Sequence, residues 1–387
     1  MKNVSTVIPC YAADTSGVCS ALYELGGMTV VHDASGCNST YSTHDEPRWY
    51  DHRSMIYISA LTELDAVMGN DEKLIQDIVS AAKDQSPAFI ALCGSPMPMM
   101  TGFDYRAVAE DISHRTGIPC FGLETNGTHS YISGAGMAFE ALVKEFVHDM
   151  PKAEGIGVNI LGATPLDFAL DGTMDSLKKW LSDNGFTYVS SVGMGGTLDE
   201  IRRAACAKVN LVVSYAGYEA AKYMLEEFGI NYVCGVPFGK GFGGVLAEYI
   251  RDAAAATDAG CVSPCGMSFD DIGCEKDTVV IGECISAKSL AKALETDRGI
   301  GSRVICPLPA DEMLLSEEDS DLYAEEDIKA VLEELRPKWV IADPLYRYII
   351  PKGTQLIELP HFAFSGRCFA KDMKDLICKD LKDTVYI

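Results

Sequence analysis

A regular alternation of short apolar runs with longer amphipathic stretches constrains the fold of this chain more than any other feature of the sequence. Each apolar run is rich in β-branched residues, and the stretch that follows repeats its apolar residues with a helical period. Strands are predicted at 28–32, 89–92, 158–161, 211–214, 279–281 and 339–341. Helices are predicted at 72–83, 105–115, 135–146, 174–184, 218–228 and 325–335. This alternation is typical of parallel sheets covered by helices, so the predicted fold class is α/β.

Residues that begin and end helices support these predictions. Thr197 and Glu200 have the spacing of a capping box, in which each side chain bonds the other residue's backbone. Gly117 and Gly229 follow predicted helices at the position where a left-handed cap is needed. The local signals and the overall pattern therefore agree.

Two breaks divide the chain into candidate domains. The segment 150–152 places a proline between a long helix and a new strand, and the segment 258–277 is rich in Gly, Cys and Asp. Such segments are typical of domain boundaries. The predicted α/β units are 1–152, 153–272 and 273–387. The acidic segment 316–327 is interpreted as a solvated loop and helix start.

The charge of the chain excludes several classes of partner. The 387 residues carry a formal net charge of -24, which opposes binding to phosphate backbones and anionic lipid surfaces. No apolar run approaches the roughly 18 residues that a membrane span needs, and the first ten residues lack a basic region followed by a hydrophobic stretch. We therefore expect a cytoplasmic protein with no nucleic-acid or membrane partner.

Three of the 14 cysteines fall where a metal site would form in an α/β protein. Cys10 lies in the loop 9–13, Cys37 closes the loop 32–37 after a predicted strand, and Cys93 ends another strand. The carboxyl ends of parallel strands meet at one edge of a sheet, so the three thiols could converge there. Thiolate sulfur is the preferred ligand of iron-sulfur clusters. The alternative, which holds for most buried cysteines, is that these thiols are reduced and pack in the core.

Two glycines beside these cysteines fit a cluster site. Gly36 and Gly94 would allow backbone amides to approach the sulfurs of a cluster and tune its potential. The spacing of the three cysteines alone is a weaker signal than a local Cys-x-x-Cys pair. The residues by themselves therefore leave the cluster and the core interpretations open.

Short segments spread over nearly the whole chain carry a resemblance to a known family. They are the loops 9–13 and 32–37 and the segments 61–69, 72–74, 102–104, 117–119, 197–201, 208–211, 226–230 and 369–373. In order and spacing they resemble the nitrogenase component 1 superfamily. This superfamily comprises the catalytic component of nitrogenase and its relatives among the reductases of protochlorophyllide, chlorophyllide and nickel tetrapyrroles.

The resemblance implies both a fold and a cofactor. It implies three Rossmann-like domains with parallel sheets flanked by helices, and an oxygen-sensitive iron-sulfur cluster, most simply [4Fe-4S], bound by cysteines at a subunit interface. It also implies a homodimer, or a heterodimer with a paralogous subunit. Electrons would come from a separate ATP-dependent iron-sulfur reductase and pass to a small-molecule substrate.

The resemblance assigns two cluster ligands directly and leaves the third open. Cys10 and Cys37 fall on the first two ligand positions of the family. The third family cysteine lies about six residues before a Gly-Asp-Asp turn, whereas Cys93 lies nine residues before Gly102, with Pro96 near the expected place. Either a reshaped loop brings Cys93 to the cluster, which we favour, or a second subunit supplies the remaining ligands.

The family also suggests where a substrate binds. Nitrogenase holds its large metal cofactor with one Cys and one His, and the corresponding positions here are Ser214, which is followed by Tyr215, and His361. A serine hydroxyl is a poor ligand for soft iron, so reduction of dinitrogen is not expected. We expect His361 to be a catalytic proton donor or substrate contact in a cavity near Ser214 and Tyr215. The alternative is an ordinary hydrogen-bonded histidine beside Pro360.

Three further groups of residues have a functional and a structural interpretation. The segment 239–244 matches Gly-x-Gly-x-x-Gly, but no strand with an acidic residue follows it, so a tight turn or cavity wall is favoured over a pyrophosphate site. A second cluster or a zinc site could form at Cys261, Cys265 and Cys274. Free thiols are favoured there, because the spacing of these cysteines fits no tetrahedral motif. The environment of three further side chains is left open. Each of His44, Arg48 and His52 could face a cavity, a partner protein or solvent.

Three functions are compatible with these observations. The leading hypothesis is a reductase subunit that takes single electrons through an interface cluster and passes them to an unidentified small molecule. The second is a scaffold or carrier that holds a maturing metallocluster and hands it on. The third is a non-catalytic partner subunit that supplies cluster ligands to a paralogue.

Overall fold

The computed structural model describes residues 10–34, 36, 45–69, 71–170, 172–256, 276–383 and 385. They form three sheets in which every pair of neighbouring strands is parallel. Helices flank all three sheets, which confirms the predicted fold class. Within the described ranges, none of the helices is both long enough and apolar enough to cross a membrane.

The first sheet has the strand order β2-β1-β3-β4. Its strands are β1 (Met28–His32), β2 (Met55–Ile58), β3 (Ile90–Gly94) and β4 (Cys120–Gly122). The accompanying helices are α1 (Asp14–Leu22), α2 (Glu63–Met68), α3 (Asp71–Gln85), α4 (Pro96–Thr101), α5 (Tyr105–Thr116) and α6 (Tyr131–Phe146). Helix α3 buries Leu74, Ile75 and Ile78, which lie on one face of a helical repeat, against the sheet and α5.

The second sheet has the strand order β6-β5-β7-β8. Its strands are β5 (Gly157–Leu161), β6 (Thr187–Val192), β7 (Val209–Val212) and β8 (Asn231–Cys234). Its helices are α7 (Thr173–Asp183), α8 (Leu198–Arg202), α9 (Tyr218–Phe228) and α10 (Lys240–Ala255). A buried polar chain crosses three strands, because Ser190 donates to Asn159 and Asn159 donates to Asn210 at 2.7 and 2.8 Å.

The third sheet has the strand order β11-β10-β9-β12-β13. Its strands are β9 (Thr278–Ile281), β10 (Ser302–Cys306), β11 (Ser320–Asp321), β12 (Trp339–Ala342) and β13 (Gln355–Glu358). Its helices are α11 (Cys284–Arg298), α12 (Glu325–Leu335) and α13 (Phe362–Ser365). The central strands β9 and β12 are almost fully buried, as expected for parallel strands covered on both faces.

Most of the elements predicted from sequence are present, with small shifts. The strand expected at 211–214 ends at Val212, and Ser214 instead precedes a short 3-10 turn. The Thr197 capping box is confirmed, as are the left-handed caps at Gly117 and Gly229. The three sheets occupy 28–122, 157–234 and 278–358. The domain boundaries after 152 and 272 stay predictions, and 272 lies outside the described residues.

Helix α6 joins the first unit to the second by packing against both α1 and α9. The crossing with α1 is close because glycine occupies both contact points. A Cβ on Gly134 would lie 1.8 Å from the carbonyl oxygen of Asp14, and a Cβ on Gly17 would lie 2.0 Å from that of Tyr131. This packing places Tyr131, at the start of α6, in the shared core of the molecule.

Candidate functional site

Cys10 lies in an extended segment just before α1, at the boundary between the first and third units. Its thiol donates to the carbonyl oxygens of Ala12 and Ala363, both at 3.5 Å. Burial of the thiol, together with the nearby carboxylate of Asp167, raises the pKa of Cys10 to about 12. The free thiol is therefore protonated at neutral pH, and a metal would have to displace the proton in order to bind.

The C-terminal segment around α13 covers the Cys10 loop. The Ala12 N–H donates to Ala363 at 3.0 Å, and the ring of Tyr11 lies over Gly366. The Tyr11 hydroxyl donates to Asp45 at 2.7 Å, and Arg367 pairs with the same carboxylate at 3.2 Å. Because Ala363 is two residues from His361, these contacts bring Cys10 close to the histidine predicted at the substrate site.

Cys93 lies near the end of β3 with none of its surface exposed. Its thiol bonds the Cys19 thiol of α1, and this hydrogen bond, with burial, raises the pKa of Cys93 well above its ordinary value. The following residue, Gly94, donates its N–H to Thr125 at 2.8 Å, and a Cβ on Gly94 would lie 1.6 Å from the Tyr105 hydroxyl. Gly94 therefore accommodates Tyr105, and the expectation that its amide turns toward a cluster is wrong.

Several predicted ligands lie outside the described residues. Cys37, the second expected cluster ligand, is one of them, as are Cys261, Cys265 and Cys274 of the less expected second metal site. His44, whose environment the sequence left open, also lies outside the described residues. Among the residues that are described, no group of three or more His, Cys, Asp or Glu side chains is arranged to hold a metal ion. Ligation by Cys10, Cys37 and Cys93 stays a prediction.

His361 sits just before α13 and belongs to a buried hydrogen-bonded array. Its Nε2 lies 3.1 Å from Asp167 Oδ1, and the Tyr131 hydroxyl donates to the same oxygen. The His361 N–H donates to Asp343 at 2.9 Å, which fixes the backbone. Burial of the hydroxyl, with Asp167 second, raises the pKa of Tyr131 well above its ordinary value. Residues from all three units therefore hold this histidine.

A cavity of about 80 Å³ opens beside His361, between the second and third units. Its wall is mostly apolar, but Asp167, Glu283 and Asp343 also line it, together with Thr173 and Ser286. Three polar atoms of this wall have no hydrogen-bond partner among the described residues: His361 Nδ1, Thr173 Oγ1 and Ser286 Oγ. The volume suits a small molecule or the end of a larger one, since a single water needs roughly 10–15 Å³.

Glu283 is a functional candidate that the sequence reasoning missed. It precedes α11, and its carboxylate accepts N–H bonds from Ile285 at 3.1 Å, Ser286 at 2.9 Å and Tyr215 at 2.8 Å. Burial and the nearby charge of Asp167 nevertheless raise its pKa to about 7. One sequence signal was available, because a glutamate stands between an apolar strand and a helix, where Ser, Thr, Asp or Asn is the usual cap.

Ser214 and Tyr215 lie behind Glu283 and are not among the described residues that line the cavity. Ser214 is fully buried, and its hydroxyl accepts the Ala216 N–H at 3.4 Å. The Tyr215 ring stacks on Tyr218 with the ring centres 5.1 Å apart. The backbone N–H of Tyr215, however, donates to the Glu283 carboxylate. Tyr215 is therefore connected to the cavity indirectly, because Glu283 lines it.

The glycine-rich segment 239–244 consists of the N-cap Gly239, which has a positive φ of 64°, and the first five residues of α10. The side chain of Asp297 accepts the N–H groups of Lys240 at 2.8 Å and Phe242 at 3.2 Å. A Cβ on Gly239 would lie 2.3 Å from an oxygen of that carboxylate. Asp297 therefore occupies the place where a pyrophosphate would bind at the helix N-terminus. The predicted tight turn is wrong, because the segment after Gly239 is helical.

Arg48 faces neither the cavity nor solvent but lies in a buried ionic network. It is 3% exposed and pairs with Glu46 at 2.6 Å and Glu24 at 2.9 Å. The second carboxylate oxygen of Glu24 accepts the Gly195 N–H at 2.8 Å. The network thus ties the segment around Arg48 to α1 and to the second unit, whereas His52 is exposed.

An apolar surface lies on α2 and α4, which contact each other beyond the carboxyl ends of the first sheet. We name it the α2/α4 surface. Val67 is 83% exposed and Met100 is 81% exposed. The other large apolar side chains exposed there are Leu64, Met68, Met97 and Met99. Contiguous exposed apolar side chains of this size are typical of sites that contact another protein.

Several known proteins are similar to this chain in sequence. One of the subunits of the light-independent protochlorophyllide reductase of Prosthecochloris aestuarii is 34% identical over 102 residues, which are 26% of this chain and 19% of that protein. The nitrogenase iron-molybdenum cofactor biosynthesis protein NifE of Clostridium pasteurianum is 30% identical over 177 residues, which are 45% of this chain and 38% of that protein. The chain therefore spans well under two thirds of the length of these relatives.

Similarity of fold extends further than similarity of sequence. A solved structure described as nitrogenase Cp1 at pH 5 has a TM-score of 0.66 and 16% identity, covering 93% of this chain and 85% of that one. The family model for nitrogenase component 1 type oxidoreductases matches residues 17–241, which is more than half of the chain. The chain therefore belongs to the nitrogenase component 1 type oxidoreductase family.

Proposed function

We propose that this chain is a nitrogenase-like oxidoreductase subunit that reduces a small molecule in the cavity beside His361. One observation carries the proposal: His361 lines the cavity, and its Nε2 is held by Asp167, whose same oxygen also accepts the Tyr131 hydroxyl. A histidine whose Nε2 is oriented by a carboxylate can, in its doubly protonated form, donate the proton of Nδ1 to a substrate and then be reprotonated. Glu283, with a pKa of about 7, is a second proton source in the same wall.

The same proposal includes an iron-sulfur cluster next to this cavity, with Cys10, Cys37 and Cys93 as ligands. Such a cluster would supply single electrons from an ATP-dependent iron-sulfur reductase. Cys10 fits the role, because its thiol lies at the junction of two units, and the hydrogen bonds that it makes within the described residues go to carbonyl oxygens. A metal could take the place of the thiol proton that makes these bonds. Cys93 fits only if its hydrogen bond with Cys19 breaks and β3 releases the side chain.

The α2/α4 surface supports a dimer in which a second subunit, identical or paralogous, covers the edge of the first sheet. Helix α4 begins two residues after Gly94, so a partner that covers it would also lie over the carboxyl end of β3. Burying Val67 and Met100 would gain roughly 1.5–3 kcal/mol for each fully buried side chain. Shared ligation of a cluster by two subunits is compatible with the few thiols that one chain offers there.

Iron and acid-labile sulfide analysis with EPR, on protein purified without oxygen, tests the cluster. We expect about four irons per subunit or per dimer, with loss of iron in Cys10→Ser, Cys37→Ser and Cys93→Ser. Cys120→Ser in β4 is the matched control, because Cys120 belongs to the same sheet and is half-buried. Protein that stays free of iron after reconstitution would refute the electron-transfer function. Loss of iron in the first two variants alone would remove Cys93 from the ligand set.

A scaffold for metallocluster assembly is the second candidate, because one similar protein is named as a cofactor biosynthesis protein. The two functions differ in turnover. A reductase consumes electrons from its partner continuously when substrate is present, whereas a scaffold transfers its cluster once. Repeated, substrate-dependent oxidation of the reductase partner supports the first function, and stoichiometric transfer of iron to an acceptor protein supports the second.

A further inference from the structure

Asp167 receives two hydrogen-bond donors on one oxygen atom. Its Oδ1 lies 3.1 Å from His361 Nε2 and also accepts the hydroxyl of Tyr131. A carboxylate has only acceptor atoms, so the neutral imidazole carries its proton on Nε2. Burial of the hydroxyl, with the charge of Asp167 second, raises the pKa of Tyr131 well above its ordinary value, so this hydroxyl keeps its proton. Two donors therefore share the negative charge of one oxygen.

Close packing fixes the position of Tyr131 at the start of α6. Its backbone N–H donates to the carbonyl oxygen of Ala12 at 3.1 Å, and none of its surface is exposed. The helix cannot move away from α1 without loosening the crossing, because a Cβ on Gly134 would already lie 1.8 Å from the carbonyl oxygen of Asp14. The fold therefore holds the hydroxyl on Asp167 before any substrate arrives.

His361 is the member of this array that reaches the cavity and water. Its side chain is 14% exposed and lines the cavity, whereas the side chains of Asp167 and Tyr131 have no exposed surface. A proton that enters or leaves the array therefore passes through the imidazole. In the doubly protonated ring, the Nε2 proton is held by Asp167, and the Nδ1 proton is the one that a substrate can take. How readily it leaves depends on how strongly Asp167 stabilises the imidazolium cation.

The charges around the cavity favour retention of that proton. Asp167, Glu283 and Asp343 line the cavity, whereas Lys374, the one lysine or arginine among the described lining residues, is exposed. Carboxylates close to an imidazolium stabilise it, and they do so more strongly where water is excluded. A donor that draws charge away from the nearest carboxylate oxygen opposes this effect, and Tyr131 is such a donor.

We propose that Tyr131 is a positioning residue for proton donation by His361: its hydroxyl takes up part of the charge of Asp167 Oδ1, so that the imidazolium gives up its proton more readily. Tyr131 is not among the described residues that line the cavity, so it acts through Asp167. The inference rests on the proposed function, in which His361 donates a proton to the substrate, and it adds the residue that regulates this donation.

Tyr131→Phe tests the inference, because it keeps the ring and removes only the hydroxyl. We expect the proton resonance of His361 Nε2–H to move downfield, since Asp167 Oδ1 then accepts one stronger hydrogen bond instead of two. The ratio of imidazolium to imidazole at pH 7 should rise about tenfold, which corresponds to one hydrogen bond to a charged group. Both quantities are read from ¹⁵N-histidine spectra of the full chain. The seven histidines give few signals, and His361→Gln assigns the relevant one.

Two further variants show whether the effect belongs to the shared oxygen. Asp167→Asn removes the charge, so the same resonance should move upfield or be lost, and the imidazolium ratio should fall. Tyr346→Phe is the control, because Tyr346 is also buried and packs against Phe364 of α13. Its hydroxyl is not among the side-chain groups that bond Asp167 within the described residues. Tyr346→Phe should leave both quantities unchanged.

The outcomes for Tyr131→Phe decide the inference. An unchanged resonance would mean that Tyr131 only fills space, and an upfield shift would mean that it holds Asp167 in place; either result overturns the inference. The same holds if Tyr346→Phe has an equal effect.

These spectra need neither a cluster nor a reductase, so they separate the two proposals. A downfield shift in protein that stays free of iron after reconstitution would refute the electron-transfer function and keep the effect of Tyr131 on His361. Cluster-loaded protein in which Tyr131→Phe changes neither quantity would keep the proposed function and refute the positioning role.

Discussion

The edge of the first sheet around Cys10 and Cys93 lies near the cavity at His361. The two regions differ in how many of their buried polar groups have hydrogen-bond partners. In the first unit, the thiols of Cys10 and Cys93, the Thr125 hydroxyl and, at the other end of α1, Arg48 are all bonded within the chain. In the cavity wall, His361 and two hydroxyls leave atoms unpartnered among the described residues. Most buried polar groups named in the first region are satisfied by their own chain, although the Tyr105 hydroxyl and one Asp45 oxygen have no described partner. The second region leaves three such atoms in residues that line one cavity. Removing a polar group should therefore destabilise the first region and stabilise the second.

The largest effect is expected from breaking the buried network of the first region. Arg48→Met leaves Glu24 and Glu46 without their cation, so the free energy of unfolding should fall by about 3–5 kcal/mol. Urea denaturation followed by far-UV circular dichroism measures this loss. Arg202→Met is the control, because the Arg202–Asp199 pair is exposed and should contribute less than about 1 kcal/mol. Equal losses in both variants would contradict the comparison.

The second largest effect is the pH dependence of the free energy of unfolding that Glu283 causes in the second region. Because the pKa of Glu283 rises from 4.5 to about 7 on folding, the folded chain holds a proton that the unfolded chain has released between these pH values. Glu283 therefore contributes most stability below pH 4.5, and the free energy of unfolding falls as the pH rises to 7. The expected change is on the order of 3 kcal/mol. Glu283→Gln should flatten this part of the pH profile, whereas the surface variant Glu312→Gln should keep it.

Two threonine-to-valine substitutions, one in each region, compare the regions directly. In the first region the substituted residue is Thr125, whose hydroxyl is hydrogen-bonded. Its hydroxyl accepts the Gly94 N–H and donates to the Gly94 carbonyl, both at 2.8 Å. Thr125→Val keeps the shape of the side chain and leaves both backbone groups without this partner. We expect a loss of about 1–3 kcal/mol in the free energy of unfolding, measured by urea denaturation. A neutral result would show that the hydrogen bonds at the sheet edge contribute little.

The same substitution at Thr173 should raise the free energy of unfolding, and this change should be the smallest of the four. Its hydroxyl has no described partner, so Thr173→Val removes a buried polar group that contributes no bond to the ligand-free fold. We expect a gain of about 1 kcal/mol in the free energy of unfolding, which would appear as a higher Tm. Destabilisation of the ligand-free protein would mean that a tightly held water already satisfies this hydroxyl.

The sequence predicted those parts of the fold that are made of continuous apolar runs. Strands β1, β9 and β12 were found because central parallel strands are apolar on both faces. Strand β6 was missed because Ser190 and Ser191 interrupt its apolar pattern. Both serines are nevertheless fully buried, since their hydroxyls bond Asn159 and the carbonyl oxygen of Met194. Periodicity does not reveal such partners, which come from other strands and loops.

The candidate site was predicted less completely, for the same reason. Family resemblance identified His361, but Asp167 lies 194 positions away and Tyr131 is in a different unit. Buried carboxylates that meet only in the folded chain leave no local pattern. Arg48 was left open because an arginine among polar residues usually faces solvent. Glu46 is a local neighbour, but only the fold brings Glu24 to the guanidinium and buries all three charges.

The side chain of Asp297 has a consequence for hydrogen exchange. It belongs to α11 of the third unit, yet it accepts the first N–H groups of α10 in the second unit. Amide protons at the start of a helix ordinarily exchange quickly, because no earlier turn protects them. Here the amides of Lys240 and Phe242 cannot exchange until α11 moves away, so their exchange rates report the opening of the contact between the two units. Deuterium uptake at these two positions would therefore record, residue by residue, how often the wall of the cavity comes apart.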